Sequence, residues 1–265
     1  MKIKQKLAQR VQKTNSLLCV GLDSDFDKLP ANFKKTSHPQ FEFNKWIISK
    51  THKYVSSYKP NLAFYEAAGA KGWEDLRLTI SYLHEHHPDI VTIADAKRAD
   101  IDSTNRGYVQ AVFDYLGFDA ITLHPYLGRQ ALEPFLSRTD KACIILCKTS
   151  NPGAGEFQDL KVGGKPLWQL VAEKVSKHWN QNDNCMLVVG ATYPSELAVV
   201  RHIVGDMDIL IPGIGTQGGD LQSVLKSGLN SHHQGLIINS ARSLIFASNP
   251  QQAARQLHQD INLLR

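Results

Sequence analysis

The chain has 265 residues, enough to bury a sizeable core as one large domain or two small ones. Its 42% hydrophobic and 21% charged residues are ordinary for a folded globular chain and set aside a disordered or collagen-like one. The formal charge of +5 equals the bases Lys2, Lys4, Lys6, Arg10 and Lys13, which all precede the first acid, Asp23, so the excess is local. In that stretch Ile3, Leu7 and Val11 recur at fourfold spacing and predict a solvated N-terminal helix over about residues 1–14. A nucleic-acid arm would mix aromatic or glycine residues with its bases, and none is present. No nucleic-acid partner is expected, only a mild pull on anionic small molecules. The apolar piece Leu17 to Leu22 is too short for a signal-peptide core, and no run approaches the ~20 residues of a membrane span; the expected setting is the cytoplasm.

Strand-like apolar runs begin near Leu17, Tyr58, Ile90, Ala120, Ala142, Met186, Ile209 and Leu236, each followed by a break and a helical pattern. Helical faces are predicted from Phe43, Trp46 and Ile47 with Tyr54 beyond, and from Trp73, Leu76, Ile80 and Leu83. Further faces are Val109, Val112, Phe113 and Leu116, then Leu167, Leu170, Val171 and Val175, then Ala253, Leu257, Ile261 and Leu264. Eight β-then-α units in a chain of this length predict a single-domain (β/α)8 TIM barrel over residues 1–265, with a doubly wound open sheet as the rival. Cys19, Cys143, Cys147 and Cys185 lie in strand-like runs without a Cys-x-x-Cys pair and read as reduced core residues. His84-Glu85-His86-His87 lacks the spacing of a zinc site and is closed by Pro88; no metal is expected.

Barrel chemistry sits on the loops after the C-terminal ends of the strands. Those ends carry Asp23, Lys59, the pair Asp95 and Lys97, His124, Lys148-Thr149-Ser150, the glycine-rich 212–219 and Asn239-Ser240-Ala241-Arg242. Asp95 and Lys97, two apart on one strand, should share a face; Asp100 follows in the loop, with Ser103 and Thr104 as helix caps. Buried charges must be paired, and an alternating set can hold a catalytic lysine, although a salt-bridged strand end fits this segment alone. Gly213, Gly215 and Gly218 match G-x-G-x-x-G, but a dinucleotide site needs that motif near its first strand and an acid ending the next, where Asn239 stands. Glycine-rich turns after strands seven and eight of a barrel instead hold phosphate, with Gln217 and Arg242 as donors; a plain turn with a surface arginine is the alternative. The stretch from Ser150 to Lys165 is long for a βα connection and reads as a lid, or as an ordinary surface insertion.

With these residues in place, Asp95-x-Lys97-x-x-Asp100-Ile101-x-x-Thr104 resembles the signature of the orotidine 5'-phosphate decarboxylase family. Lys59-x-Asn61, 148–153, 212–219 and Ala241-Arg242-Ser243 match it in the same order, and the resemblance runs from about Leu18 to Pro250. The long segment after Ser150 resembles the longer bacterial branch, type 2. The resemblance implies decarboxylation of orotidine 5'-monophosphate to UMP and CO2, the last step of UMP synthesis, without a cofactor. It implies that Lys97 protonates C6 as CO2 leaves, that Asp95 sits beside the substrate carboxylate, and that Lys59 pairs with Asp95 and touches the ribose. It further implies Asp23 on the ribose hydroxyls, Ser150 on the pyrimidine amide, and Gln217 with Arg242 on the phosphate. Asp100 and Thr104 would reach into the site of a second subunit, making a homodimer. Ala241 departs from the shorter relatives, which carry glycine there.

Two other readings remain. A Mg2+-dependent phosphosugar lyase or decarboxylase of the same superfamily needs an extra carboxylate before the Asp-x-Lys pair, and Ile93 occupies that position. A non-catalytic nucleotide-binding barrel needs the phosphate turn but not the alternation of Lys59, Asp95, Lys97 and Asp100, which is costly to bury.

Overall fold

Strands that are aliphatic on both faces must be covered on both faces, which a parallel sheet wrapped by helices achieves. The computed structural model describes residues 1–214 and 219–265, and in it eight such runs form strands. They are β1 (Leu18–Gly21), β2 (Ser57–Lys59), β3 (Val91–Arg98), β4 (Ala120–Leu123), β5 (Ala142–Lys148), β6 (Cys185–Val189), β7 (Ile209–Pro212) and β8 (Leu236–Ser240). Each pairs in parallel with its neighbours in sequence, and β8 pairs with β1 in the register Leu18 to Ile238, so the barrel closes. Closure removes the two unpaired edges an open sheet would keep. The expected (β/α)8 barrel is the observed fold, with strand starts within one residue of the sequence reading.

Each strand leads to a helix of the outer ring: Pro39–Thr51, Gly69–His86, Asp102–Val109, Gly128–Leu136, Leu167–Lys174, Pro194–Val204, Leu221–Gly228 and Pro250–Leu264. Leu76, Ile80 and Leu83 are buried as expected, and so are Val109, Val112, Phe113 and Leu116. Two helical faces differ. After β5 the buried residues are Trp168, Ala172, Val175 and Trp179, while Leu167, Leu170 and Val171 are only partly covered. Both sets fit a helical period, and a π-turn over Val175–Trp179 favours the one carrying the tryptophans. In the last helix Pro250, Ala254 and Ile261 are buried and Leu264, its final residue, is 44% exposed.

The N-terminal helix spans Ile3–Thr14, and it is not solvated as its charge implied. Ile3, Leu7 and Val11 are buried, and so are Lys6 and Arg10. Lys6 Nζ lies 2.7 Å from Asp119, which also accepts the Thr92 N–H. Arg10 donates to Asp89 at 2.8 Å and to the backbone carbonyls of Val55 and His52. Carboxylates and carbonyls at the N-terminal barrel mouth need donors, and the two bases supply them. The local basic charge therefore serves packing more than attraction of anions.

Candidate active site

Alternation alone would put Asp95 and Lys97 on one face; the structure brings them together through a bulge. Ala94 stands opposite Ile121 but Arg98 opposite Leu123, so β3 carries extra residues there. Lys97 takes left-handed backbone with φ 48°, a conformation rare for a residue with a Cβ. Thr122 Oγ1 holds the bulge by accepting the N–H groups of Ala96 at 3.0 Å and Lys97 at 2.9 Å, and it lies 3.2 Å from Asp95 Oδ1. Thr122 was not singled out from the sequence, although its place one residue before the end of an inward-facing strand is a usable signal.

The result is a carboxylate clamped between two ammonium groups. Lys59 Nζ lies 2.5 Å from Asp95 Oδ2, and Lys97 Nζ lies 2.5 Å from Oδ1. Lys59 is 3% exposed, whereas the Lys97 side chain is half exposed. Burial pushes the Asp95 carboxyl up, but Lys59 and Lys97 beside it overcome that and hold it well below the usual carboxylate range. Burial pushes the Lys59 amine down, and Asp95 with Asp23 outweighs it, so Lys59 stays an ammonium. The Asp23 carboxyl is raised by burial and by Asp95, against the pull of Lys59, Lys97 and Arg242.

These groups line a cavity of about 470 Å³ at the C-terminal mouth of the barrel, within the ~300–1,000 Å³ usual for small-molecule sites. Asp23, Lys59, Asp95, Lys97, Ser150 and Arg242 all face it, joined by Asn61, Thr122, Gln158 and Asn239. Ser150 is brought in by a close approach: a Cβ on Gly190 would come within 2.7 Å of the Ser150 Cβ. The methyl of Ala241 is accommodated in the same way, since a Cβ on Gly21 would lie 2.5 Å from it. Gln217 lies outside the described residues.

Asp100, Thr104 and His124 do not line this cavity. Asp100 Oδ1 accepts the Ile101 N–H at 2.7 Å, and the Asn105 side chain binds both the N–H and the carbonyl of Asp100. That asparagine secures the start of the helix, so Ser103 and Thr104 are not its caps; Ile101 holds the cap position without a side-chain bond. His124 Nε2 lies 3.1 Å from the Ala99 carbonyl.

The segment after β5 is built rather than structureless. It holds a helix, Gly155–Gln158, and a hairpin pairing Lys161 with Pro166. Lys148, 1% exposed, reaches Asp159 at 2.5 Å and lies 4.6 Å from the Tyr193 ring centroid. Gln158 binds the Thr149 N–H and hydroxyl. The segment is thus pinned beside the cavity it borders.

A smaller cavity of about 170 Å³ lies at the opposite face, lined by Lys2, Lys4, Asn184 and Asp208 among others. The strand ends there are N-terminal, where barrel residues serve stability.

Fold and site together define a (β/α)8-barrel enzyme with an Asp-Lys pair at the end of β3 facing the cavity at its C-terminal mouth. Residues 16–257 match the Orotidine 5'-phosphate decarboxylase / HUMPS family, and the chain belongs to it. It is 50% identical over 250 residues to an orotidine 5'-phosphate decarboxylase of Christiangramia forsetii, covering 94% of this chain and 91% of that protein. It is 45% identical to the one from Cellvibrio japonicus, with 98% of each covered. The solved OMP decarboxylase of Leishmania donovani superposes with a TM-score of 0.90 at 40% identity, covering 100% of this chain and 99% of that one.

Proposed function

We propose that the chain decarboxylates orotidine 5'-monophosphate to UMP and CO2, by the longer-branch form of the enzyme. The observation that carries this reading is the Lys59–Asp95–Lys97 clamp at the floor of the cavity. Loss of CO2 from C6 leaves an electron pair in a ring σ-orbital that resonance cannot drain, so stabilisation has to be electrostatic. Lys97 is the half-exposed member of the clamp and faces the cavity, which suits a group that must meet the nascent carbanion and hand it a proton. Asp95 is then the anion beside the substrate carboxylate, and buried Lys59 keeps it ionised. Both Asp95 oxygens are engaged by ammonium groups, an arrangement that repels a divalent cation and sets the site apart from the Mg2+-dependent lyases.

Asp23 binds the ribose hydroxyls, Ser150 the pyrimidine amide, and Arg242 and Gln217 the phosphate. A single well-placed charge supplies only about 3–4 kcal/mol, against the 20 kcal/mol or so demanded by very slow reactions. Phosphate binding supplies a further part, and the pinned Ser150–Lys165 segment walls the cavity against water.

Asp100 and Thr104 complete the site of a second subunit in a homodimer. Their loop lies outside the chain's own cavity, and Ile101 at 56%, Tyr126 at 83% and Leu127 at 45% exposure offer apolar surface around it. Mixing Asp100→Ala with Lys97→Ala protein should restore part of the activity that each has lost, because one of two shared sites is then intact; a mixture as inactive as its parts would remove the shared site. The four buried, free cysteines suit a cytoplasmic setting. Among the described residues no helix is long and apolar enough to cross a membrane.

The test of the activity is the fall in absorbance of orotidine 5'-monophosphate with purified protein in a chelating buffer. Steady turnover is expected. Turnover that appears only when Mg2+ is added would overturn the proposal.

A further inference from the structure

Asn239 is a polar residue in a barrel layer that is otherwise filled on that wall by aliphatic side chains. There β5, β6 and β7 contribute Leu146, Val188 and Leu210 to the cavity lining. Asn239 is 6% exposed, yet its Oδ1 has no hydrogen-bond partner among the described residues. Buried polar atoms are paired in the great majority of cases, because an unpaired one forfeits its hydration for nothing. A leucine would fill the same volume without that cost. Packing therefore does not account for the amide.

Its position does. Asn239 stands in register with Cys19 on β1 and Pro212 on β7. It is thus set between Asp23, which follows β1, and Arg242, which follows β8. Asp23 Oδ1 is a second buried acceptor without a partner among the described residues, and it lines the same wall. Two unpaired acceptors on one wall of a ligand cavity fit hydroxyl donors. A neutral amide, unlike a second carboxylate, accepts from a hydroxyl without repelling a nearby dianion.

Building on the reading of the preceding section, we propose that Asn239 is a further substrate-contacting residue, hydrogen-bonding the sugar-phosphate half of the nucleotide between Asp23 and Arg242. The variants Asn239→Ala and Asn239→Asp test this, through KM, kcat, the affinity for UMP by calorimetry, and thermal midpoints. Asn239→Ala should raise KM and weaken UMP by about tenfold or more, the worth of one unmet buried hydrogen bond, with kcat less affected. Asn239→Asp keeps the shape but places a negative charge near the phosphate, so it should bind UMP more weakly than Asn239→Ala. A structural role predicts the reverse, with Asn239→Asp close to wild type and Asn239→Ala losing affinity only in step with its thermal midpoint. UMP affinity of Asn239→Asp within twofold of wild type overturns the assignment. Wild-type turnover reports on the function separately: if it proceeds while both variants bind UMP normally, only the Asn239 assignment falls.

Discussion

Replacing Asp95 by Asn removes the anion from the clamp while keeping its shape. Lys59 is 3% exposed and its ammonium is sustained by Asp95 and Asp23 against burial. Breaking a buried pair costs about 3–5 kcal/mol, because the surviving charge stays buried without compensation. Here Asp23 remains as a second anion and Lys97 is half exposed, so the lower end, about 3 kcal/mol, is expected. For a chain of this size each kcal/mol moves the thermal midpoint by about 2–4 °C, giving a fall of roughly 6–12 °C. Urea unfolding followed by circular dichroism at pH 7 measures the free energy directly. The sign with pH is fixed as well. The folded-state carboxyl of Asp95 is depressed, so its contribution is complete above its unfolded value near 3.9 and is lost as pH falls below that. The gap between wild type and Asp95→Asn should therefore narrow in acid. An unchanged or raised stability of Asp95→Asn at pH 7 would refute the claim that the clamp is satisfied in the folded chain.

Lys97→Ala should abolish turnover while calorimetry still detects UMP binding, with little change in thermal midpoint because the side chain is half exposed; retained turnover would remove Lys97 as the proton donor. Arg242→Ala should lower kcat/KM by the equivalent of about 2 kcal/mol, the low end for a charge pair formed in a binding site, since Arg242 is exposed before ligand arrives; an unaffected kcat/KM would move the phosphate elsewhere. At the far end of the barrel, burial pushes the Asp208 carboxyl up to about 6. A raised folded value means stability present below about pH 4 and lost as pH rises through about 6. Asp208→Asn should accordingly stabilise the chain at pH 8 by about 1–2 kcal/mol, less than the full shift because the residue is only partly buried, and by nothing near pH 4; equal urea midpoints at both pH values would contradict this.

The barrel was legible because its signals are local and repeated. Eight aliphatic runs, each followed by a break and an amphipathic pattern, admit few arrangements, and the strand starts fell within one residue. The residues that line the cavity were legible for a related reason: a barrel gathers whatever stands at the C-terminal ends of its strands, so Asp23, Lys59, Asp95, Lys97, Ser150 and Arg242 could be nominated from position alone. Faces with two equally good periodicities were not legible. Leu170 and Val171 compete with Trp168 and Ala172, and the π-turn over Val175–Trp179 goes with burial of the second set.

Residue order along the chain determined which groups reach the mouth of the barrel; contacts between distant segments decided how they are held. Thr122, from the next strand, supplies the hydroxyl that lets Lys97 occupy left-handed backbone and face Asp95. Lys6 and Arg10 looked like solvent charges until Asp119, Asp89 and two carbonyls from other parts of the chain came to meet them. A side chain's hydrogen-bonding needs are written in its type, but the partner that meets them is chosen by packing, and packing is a property of the closed barrel.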